Sequence, residues 1–89
     1  MSSYRVELTP EAIRTIEALP DKVRLAVLEA IGGSIAANPR RGGKQLTGEL
    51  RGMWSARRGD FRVIYLIDDD RRSVVVLRTQ HRRDVYRRR

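Results

Sequence analysis

The fold of this chain is decided by one stretch, Trp54-Ser55-Ala56-Arg57-Arg58-Gly59-Asp60-Phe61-Arg62-Val63-Ile64-Tyr65. Runs of alternating side-chain type flank Gly59-Asp60, a pattern that predicts a β-hairpin. Glycine at the first central position of a two-residue loop favours a type II′ turn, because glycine adopts positive φ without steric cost. That turn sets the register of the hairpin. The predicted cross-strand pairs are Arg58–Phe61, Arg57–Arg62, Ala56–Val63 and Trp54–Tyr65.

Side chains alternate between the two faces of a strand, so this hairpin has one apolar face and one mixed face. The apolar face is expected to cover the core and carries Trp54, Ala56, Phe61, Val63, Tyr65 and Ile67. The opposite face carries Ser55, Arg57, Arg62, Ile64 and Leu66. Like charges directly opposite each other destabilise a sheet by roughly 0.2–1 kcal/mol. A pair of facing arginines therefore indicates an anion bound between them.

Two amphipathic helices are predicted before the hairpin. Thr9-Pro10 starts the first, with threonine as the N-cap and proline in the first turn. Leu19-Pro20-Asp21 ends it and opens the second helix, which stops at Asn38-Pro39. Gly32-Gly33 lies within the second helix, where each glycine costs about 1 kcal/mol relative to alanine. We expect the helix to bend or fray at that point.

Further strands are predicted at Tyr4–Leu8 and Ser73–Thr79. The resulting order is β-α-α-β-β-β, an α+β fold in which an αα-hairpin covers one face of an antiparallel sheet. If the last strand pairs with the central hairpin across a five-residue loop, Arg78 lies opposite Arg62. The open face of the sheet is then basic, with Arg57, Arg62 and Arg78 in one row. We interpret residues 1–89 as a single domain.

The composition excludes several kinds of site. The 89 residues include no cysteine and one histidine, which excludes disulfides, cysteine nucleophiles and a histidine-rich metal site, and no cofactor is expected. The 19 basic residues outnumber the 11 acidic ones, and the net charge of +8 indicates a nucleic acid or an acidic protein as the partner. The N-terminus lacks an apolar signal segment, and no run approaches about 18 apolar residues. We therefore expect a cytoplasmic protein that does not bind a membrane.

Four features together resemble the RelE family within the RelE/ParE superfamily of bacterial type II toxins. The first feature is the leading strand followed by the αα-hairpin. The others are the motifs Lys44-x-Leu46-x-Gly48, Gly59-Asp60-Phe61-Arg62-Val63-Ile64-Tyr65 and His81-Arg82-Arg83-Asp84-Val85-Tyr86-Arg87. The resemblance covers nearly the whole chain. It implies a toxin that cuts mRNA in the decoding site of the ribosome and that an antitoxin holds inactive.

The resemblance also implies the chemistry and its residues. In this family the 2′-hydroxyl of the RNA attacks the adjacent phosphate without a metal ion, leaving a 2′,3′-cyclic phosphate and a 5′-hydroxyl. Such a reaction needs cations on the phosphoryl oxygens, a proton acceptor and a proton donor. Arg62 matches the family's phosphate-binding arginine, and Arg57 and Arg58 fall where some members carry catalytic lysines or arginines. His81 and Tyr86 match the terminal motif and are the candidate acid–base groups.

Other basic residues of these segments are predicted to bind RNA: Lys44, Arg51, Arg58, Arg78, Arg82 and Arg83. The strand before the turn departs from the family, because the best-known members carry two lysines on it, whereas the corresponding stretch here, Trp54-Ser55-Ala56-Arg57-Arg58, contains no lysine. The predicted partners are the ribosome, mRNA and a cognate acidic antitoxin, with which the chain is expected to form a hetero-oligomer.

Two other functions stay open. A ParE-like toxin of the same superfamily would inhibit DNA gyrase and would need no nuclease residues. A non-catalytic nucleic-acid-binding module would use the same basic surface for binding alone. The presence of both His81 and Tyr86 in the terminal motif favours the nuclease over the ParE-like toxin.

Overall fold

A computed structural model describes residues 3–81. In this part of the chain the elements follow the predicted order, with one additional strand. The helices and strands are β1 (Arg5–Leu8), α1 (Pro10–Glu17), α2 (Asp21–Ala30), β2 (Lys44–Gln45), β3 (Trp54–Arg58), β4 (Phe61–Asp68) and β5 (Ser73–His81). One turn of π-helix, Ile31–Ile35, here called the π-turn, continues α2, and a 3₁₀ turn, Gly48–Leu50, precedes β3. None of the helices in this part of the chain is long and apolar enough to cross a membrane.

The central hairpin has the predicted register. Strands β3 and β4 pair antiparallel as Arg58–Phe61, Arg57–Arg62, Ala56–Val63, Ser55–Ile64 and Trp54–Tyr65. Gly59 has φ +62°, the sign that the first central residue of a type II′ turn requires. Ala56, Val63 and Tyr65 are buried in the core. The predicted pairs and the predicted core face of the hairpin are therefore confirmed.

Within residues 3–81 the strands form one five-stranded sheet in the order β1-β5-β4-β3-β2. The prediction of an α+β fold is confirmed, but the prediction of a wholly antiparallel sheet is wrong, because β1 and β5 are parallel. The helical segment carries the chain from β1 to the opposite edge of the sheet, where β2 begins. Each pairing from β2 to β5 then reverses the chain direction. Strand β5 therefore arrives beside β1 running in the same direction.

The predicted pairing of Arg62 with Arg78 is wrong. Arg62 lies opposite Gln80, and Arg78 lies opposite Ile64. The turn between β4 and β5 has four residues instead of five, and a β-bulge between Ile64 and Tyr65 shifts the register by a further residue. The two changes together move the partner by two positions. Arg78 therefore keeps the predicted face of the sheet but lies further along the strand.

Helices α1 and α2 cover one face of the sheet and close the core. Thr9 caps α1 as predicted, since its hydroxyl accepts a hydrogen bond from Ala12 N at 3.0 Å. Gly32-Gly33 lies in the π-turn, where the helix widens instead of fraying. The buried side chains of the core cluster come from the helical region and from β3, β4 and β5: Ala12, Ile16, Leu19, Val27, Ala30, Ile31, Ile35, Ala56, Val63, Tyr65, Val74 and Val76.

Gly59→Ala should lower the free energy of unfolding by about 1 kcal/mol or more, because an L side chain is disfavoured at positive φ. A Cβ at this position meets no atom within 4 Å, so the loss reports backbone strain alone. Gly33→Ala is the matched control, since its Cβ is equally free but lies in helical backbone, and it should add about 0.5–1 kcal/mol. Urea unfolding measures both variants. An undiminished stability of Gly59→Ala would contradict the assigned turn.

Candidate nucleic-acid interface

An open cleft of about 490 Å³ lies between the loop 41–46 and the edge of the central hairpin. Four basic side chains line it, and we call it the cationic cleft: Arg41, Lys44, Arg57 and Arg62. The rest of its lining is Gly42, Gly43, Gln45, Leu46, Ser55 and Ala56. Of residues 3–81, no aspartate or glutamate lines the cleft. Its chemistry therefore suits an anion.

The pairing of β2, β3 and β4 places three of these cations on one face of the sheet. Lys44 lies opposite Ser55, which shares a face with Arg57 two residues further along β3. Arg57 lies directly opposite Arg62. Facing side chains of an antiparallel pair have Cβ atoms about 4.5–5.5 Å apart. Three positive charges are therefore crowded on the face away from the helices.

No carboxylate of residues 3–81 forms a salt bridge with a side chain that lines the cationic cleft. Within the described residues three salt bridges form, and each lies outside the cleft: Arg24–Asp21, Arg40–Asp69 and Arg71–Glu7. Arg57 is exposed and Arg62 is half-buried, so both side chains reach solvent. A guanidinium group offers a planar fork that matches phosphate oxygens. A phosphate bound between these two arginines would remove the repulsion that the bare fold retains.

Arg78 shares the face of the cationic cleft but does not line it. Its Nε donates a hydrogen bond to Gln80 Oε1 at 3.2 Å, and Gln80 lies opposite Arg62. Gln80 therefore takes the position beside Arg62 that was predicted for Arg78. Arg78 lies diagonally from Arg62, a relation in which Cβ atoms are roughly 7 Å apart.

The structure does not bring His81 together with Arg62. His81 lies opposite Phe61, and their rings meet edge to face with centroids 5.0 Å apart. Phe61 packs against the core, so both rings lie on the helix-facing side of the sheet. With Thr15 they line a smaller cleft of about 170 Å³. The sheet therefore separates the imidazole from the arginines, although both sites lie at the hairpin end of β4.

The other predicted RNA-binding residues are placed apart from the cleft or cannot be placed. Arg58 turns to the helix-facing side, where its guanidinium donates to Arg57 O at 2.6 Å and to Ser34 Oγ at 3.4 Å. Arg51 is exposed beside the 3₁₀ turn and does not line the cleft. Three predicted site residues lie outside the described residues: Arg82, Arg83 and Tyr86.

Arg41 also lines the cleft, although the sequence did not predict it as a binding residue. Its signal was its position directly before Gly42-Gly43, in the same loop as Lys44. Glycine is common where two backbones come close together, because it has no side chain. Arg40, the residue before Arg41, fixes this loop through a bidentate ion pair with Asp69, with N–O distances of 2.8 and 3.2 Å. The hydrogen bond from Arg40 lowers the pKa of that carboxyl.

The sequence matches known toxins over almost its whole length. Residues 6–86 fit the family described as the ParE toxin of the type II toxin–antitoxin system parDE. Toxin RelG of Mycobacterium tuberculosis is 46% identical over 85 residues, which cover 96% of this chain and 98% of that protein. Toxin RelE of the same organism is 42% identical over 84 residues, which cover 94% and 87%. The chain therefore belongs to the ParE toxin family of type II toxin–antitoxin systems. Its similarity to RelG and RelE confirms the predicted resemblance to RelE-type toxins.

Solved structures share the fold. The toxin–antitoxin complex RelBE2 of Mycobacterium tuberculosis matches with a TM-score of 0.84 at 43% identity, covering 91% of this chain and 93% of that chain. The isolated RelE toxin of E. coli matches with a TM-score of 0.74 at 17% identity, covering 88% and 83%. At the lower identity the likeness concerns the fold alone. The fold class that the resemblance implied is confirmed.

Tyr65 should make the stability of the protein fall at alkaline pH. Burial raises its pKa to about 12 in the folded protein, against about 10 in an unfolded chain. The stability contributed by the neutral phenol is complete below pH 10 and is lost as the pH rises to 12. Each pKa unit corresponds to about 1.4 kcal/mol, so the loss should reach about 2–3 kcal/mol.

Urea unfolding between pH 9 and pH 12 measures this loss. Tyr65→Phe is the control, because it lacks the titrating group and retains every other one. The difference in stability between the two proteins should shrink over this range. A constant difference would mean that the phenol titrates equally in the folded and unfolded chain.

Proposed function

We propose that the chain is the toxin of a type II toxin–antitoxin pair and that it cleaves mRNA on the ribosome. The cationic cleft is the observation that carries this proposal, because residues 3–81 contribute four cations and no carboxylate to its lining. A phosphate that bridges Arg57 and Arg62 would offset the repulsion between these facing arginines. The similarity to toxins named RelE and RelG supports the same activity.

The proposed reaction is attack of the RNA 2′-hydroxyl on the adjacent phosphorus. The bond from phosphorus to O5′ breaks, which yields a 2′,3′-cyclic phosphate and a 5′-hydroxyl. One proton leaves the attacking oxygen and another reaches the leaving oxygen. Arg57 and Arg62 would hold the non-bridging oxygens and stabilise the negative charge that develops on them. Arg41 and Lys44 would hold flanking phosphates and so keep the scissile group in place.

His81 and Tyr86 are the groups that we propose for proton transfer. Arginine stays protonated at neutral pH and is a poor general base, so Arg57 does not fit this role. His81 pairs with Phe61, the residue before Arg62, but on the opposite face of the sheet. The RNA would therefore cross the hairpin end of the sheet, where the imidazole would have to reach around the strand to an oxygen of the phosphate that the arginines hold.

We also propose that an acidic antitoxin silences the site in the cytoplasm. The RelBE2 structure, 43% identical to this chain, is a toxin–antitoxin complex. The net charge of +8 and the cationic cleft complement an acidic segment in charge. Such a segment would cover Arg57 and Arg62 in the hetero-oligomer and exclude RNA from them.

Expression of the chain without an antitoxin should stop protein synthesis before DNA synthesis, because the proposed substrate is mRNA. A ParE-like inhibitor of DNA gyrase, to which the name of the matched family points, would reverse that order. Pulse labelling with radioactive methionine and thymidine after induction measures both. Early loss of thymidine incorporation, with DNA breaks at gyrase sites, would rule out the nuclease in favour of the gyrase inhibitor.

Arg62→Ala should slow cleavage of ribosome-bound mRNA roughly 10²–10³-fold, the effect of losing one preorganised contact to the developing charge. The fold should survive, because Arg62 lies on the face away from the core and opposite another cation. Arg14→Ala removes the same charge from the exposed surface of α1 and is the matched control. Single-turnover cleavage and a melting temperature for each variant are the measurements.

Two results of this experiment would contradict the proposal. Cleavage by Arg62→Ala at the wild-type rate would show that the cationic cleft is not the active site. Binding of RNA by the wild type without any cleavage would favour the non-catalytic nucleic-acid-binding module.

A further inference from the structure

Both ends of the loop that leads into β2 contact one atom, the hydroxyl oxygen of Tyr65. At the start of the loop, Tyr65 Oη donates a hydrogen bond to Pro39 O at 2.7 Å. At its end, a Cβ built on Gly43 would lie 2.2 Å from the same oxygen. No side chain fits in that space, so the backbone at Gly43 rests directly on the phenol. The loop 39–43 is therefore pinned at both ends by one hydroxyl group.

Gly43 is pressed against β3 as well. Its Cβ would lie 2.6 Å from Ser55 O, and the next residue, Lys44, pairs with Ser55. The close approach of Gly43 therefore determines where Lys44 joins the sheet. Arg41 lies two residues before Gly43 in the same pinned stretch. Both cations on the loop side of the cleft depend on this contact.

Tyr65 lies on the same strand as Arg62, one of the two cations on the strand side of the cleft. It lies on β4, three residues after Arg62, and is fully buried. Its ring packs in the core, and the phenol does not line the cationic cleft. The hydroxyl is protonated at neutral pH, since even an unperturbed tyrosine has a pKa of about 10, and it donates a hydrogen bond to Pro39 O. The hydroxyl of Tyr65 therefore acts on the cleft through the loop that it contacts.

The charge of the cleft explains why the loop needs a tether. Arg41 and Lys44 on the loop repel Arg57 and Arg62 on the strands, and no carboxylate from residues 3–81 lies between them. Without RNA this repulsion favours a loop that moves away from the sheet. We propose that Tyr65 is a positioning residue that holds the loop cations beside β3 and β4, so that the free protein already has the cleft that RNA requires. The choice of RNA as ligand rests on the proposed function, whereas the tether does not.

Two variants break the contact from opposite sides. Tyr65→Phe removes the hydroxyl and keeps the buried ring, and Gly43→Ala forces the loop away from the phenol. Thr9→Ala is the control for a loss of stability elsewhere, because it removes the bond from Thr9 Oγ1 to a backbone carbonyl, Leu77 O, at 2.8 Å, together with the cap of α1. That bond joins the start of α1 to β5, away from the cleft.

Hydrogen exchange of the purified full chain tests the tether without any ligand. Backbone amides of residues 41–46 should exchange about tenfold faster in Tyr65→Phe, as the loss of one hydrogen bond implies. The same amides should exchange faster in Gly43→Ala. They should keep the wild-type rate in Thr9→Ala, even where that variant melts at a lower temperature.

The salt dependence of binding to a single-stranded RNA oligonucleotide tests the consequence for the cleft. Each phosphate contact that is lost should reduce the slope of log Kd against log salt by about 0.7. Tyr65→Phe should therefore reduce the slope by up to about 1.4, the share of Arg41 and Lys44. In an Arg41→Ala/Lys44→Ala background it should reduce the slope no further. A residue that only stabilised the fold would leave the slope unchanged.

The outcomes separate this inference from the proposed function. Unchanged exchange at residues 41–46 in both Tyr65→Phe and Gly43→Ala would overturn the tether. Faster exchange with an unchanged salt slope would overturn its role in preparing the cleft for RNA. A wild-type protein that does not bind or cleave RNA would refute the proposed function, and the exchange rates would then decide the tether alone.

Discussion

The structure depends on the register of the β3–β4 hairpin, which the turn at Gly59 sets. A shift of one residue would turn every side chain of a strand to the opposite face. Val63 and Tyr65 would leave the core, and each such burial stabilises the fold by about 1.5–3 kcal/mol. The repulsion between Arg57 and Arg62 opposes the observed register by only about 0.2–1 kcal/mol. Core burial therefore prevails and keeps the two arginines opposite each other.

The two faces of the sheet carry different groups. Its helix-facing side carries the apolar core, together with Arg58, Phe61 and His81. Its other side carries the cations of the cleft, where residues 3–81 place no carboxylate. A chemistry that uses both Arg62 and His81 is therefore confined to the hairpin end of the sheet, because only there can one ligand reach around the strands. This constraint gives the proposed RNA path a direction.

The cleft itself is a product of long-range contacts. Its loop wall is held by the hydrogen bond from Tyr65 to Pro39 O and by the pair of Arg40 with Asp69, partners that are 26 and 29 residues apart in sequence. These contacts bring a loop with its own positive charge towards a sheet surface that repels it. The buried hydroxyl and the ion pair outside the cleft act against that repulsion, together with the backbone hydrogen bonds of the loop and its pairing with β3.

The sequence by itself determined the local features and the family. Alternation around Gly59 encodes the hairpin and the facing arginines, and Thr9-Pro10 encodes the start of α1, because both follow from the steric preferences of a few neighbouring residues. The tertiary structure alone decided the parallel pairing of β1 with β5, the bulge in β4–β5 that moves Arg78 away from Arg62, and the entry of Arg41 into the cleft. Those features depend on which distant segments pack together. Such contacts depend on the balance of burial and pairing over the whole chain, which no short motif records.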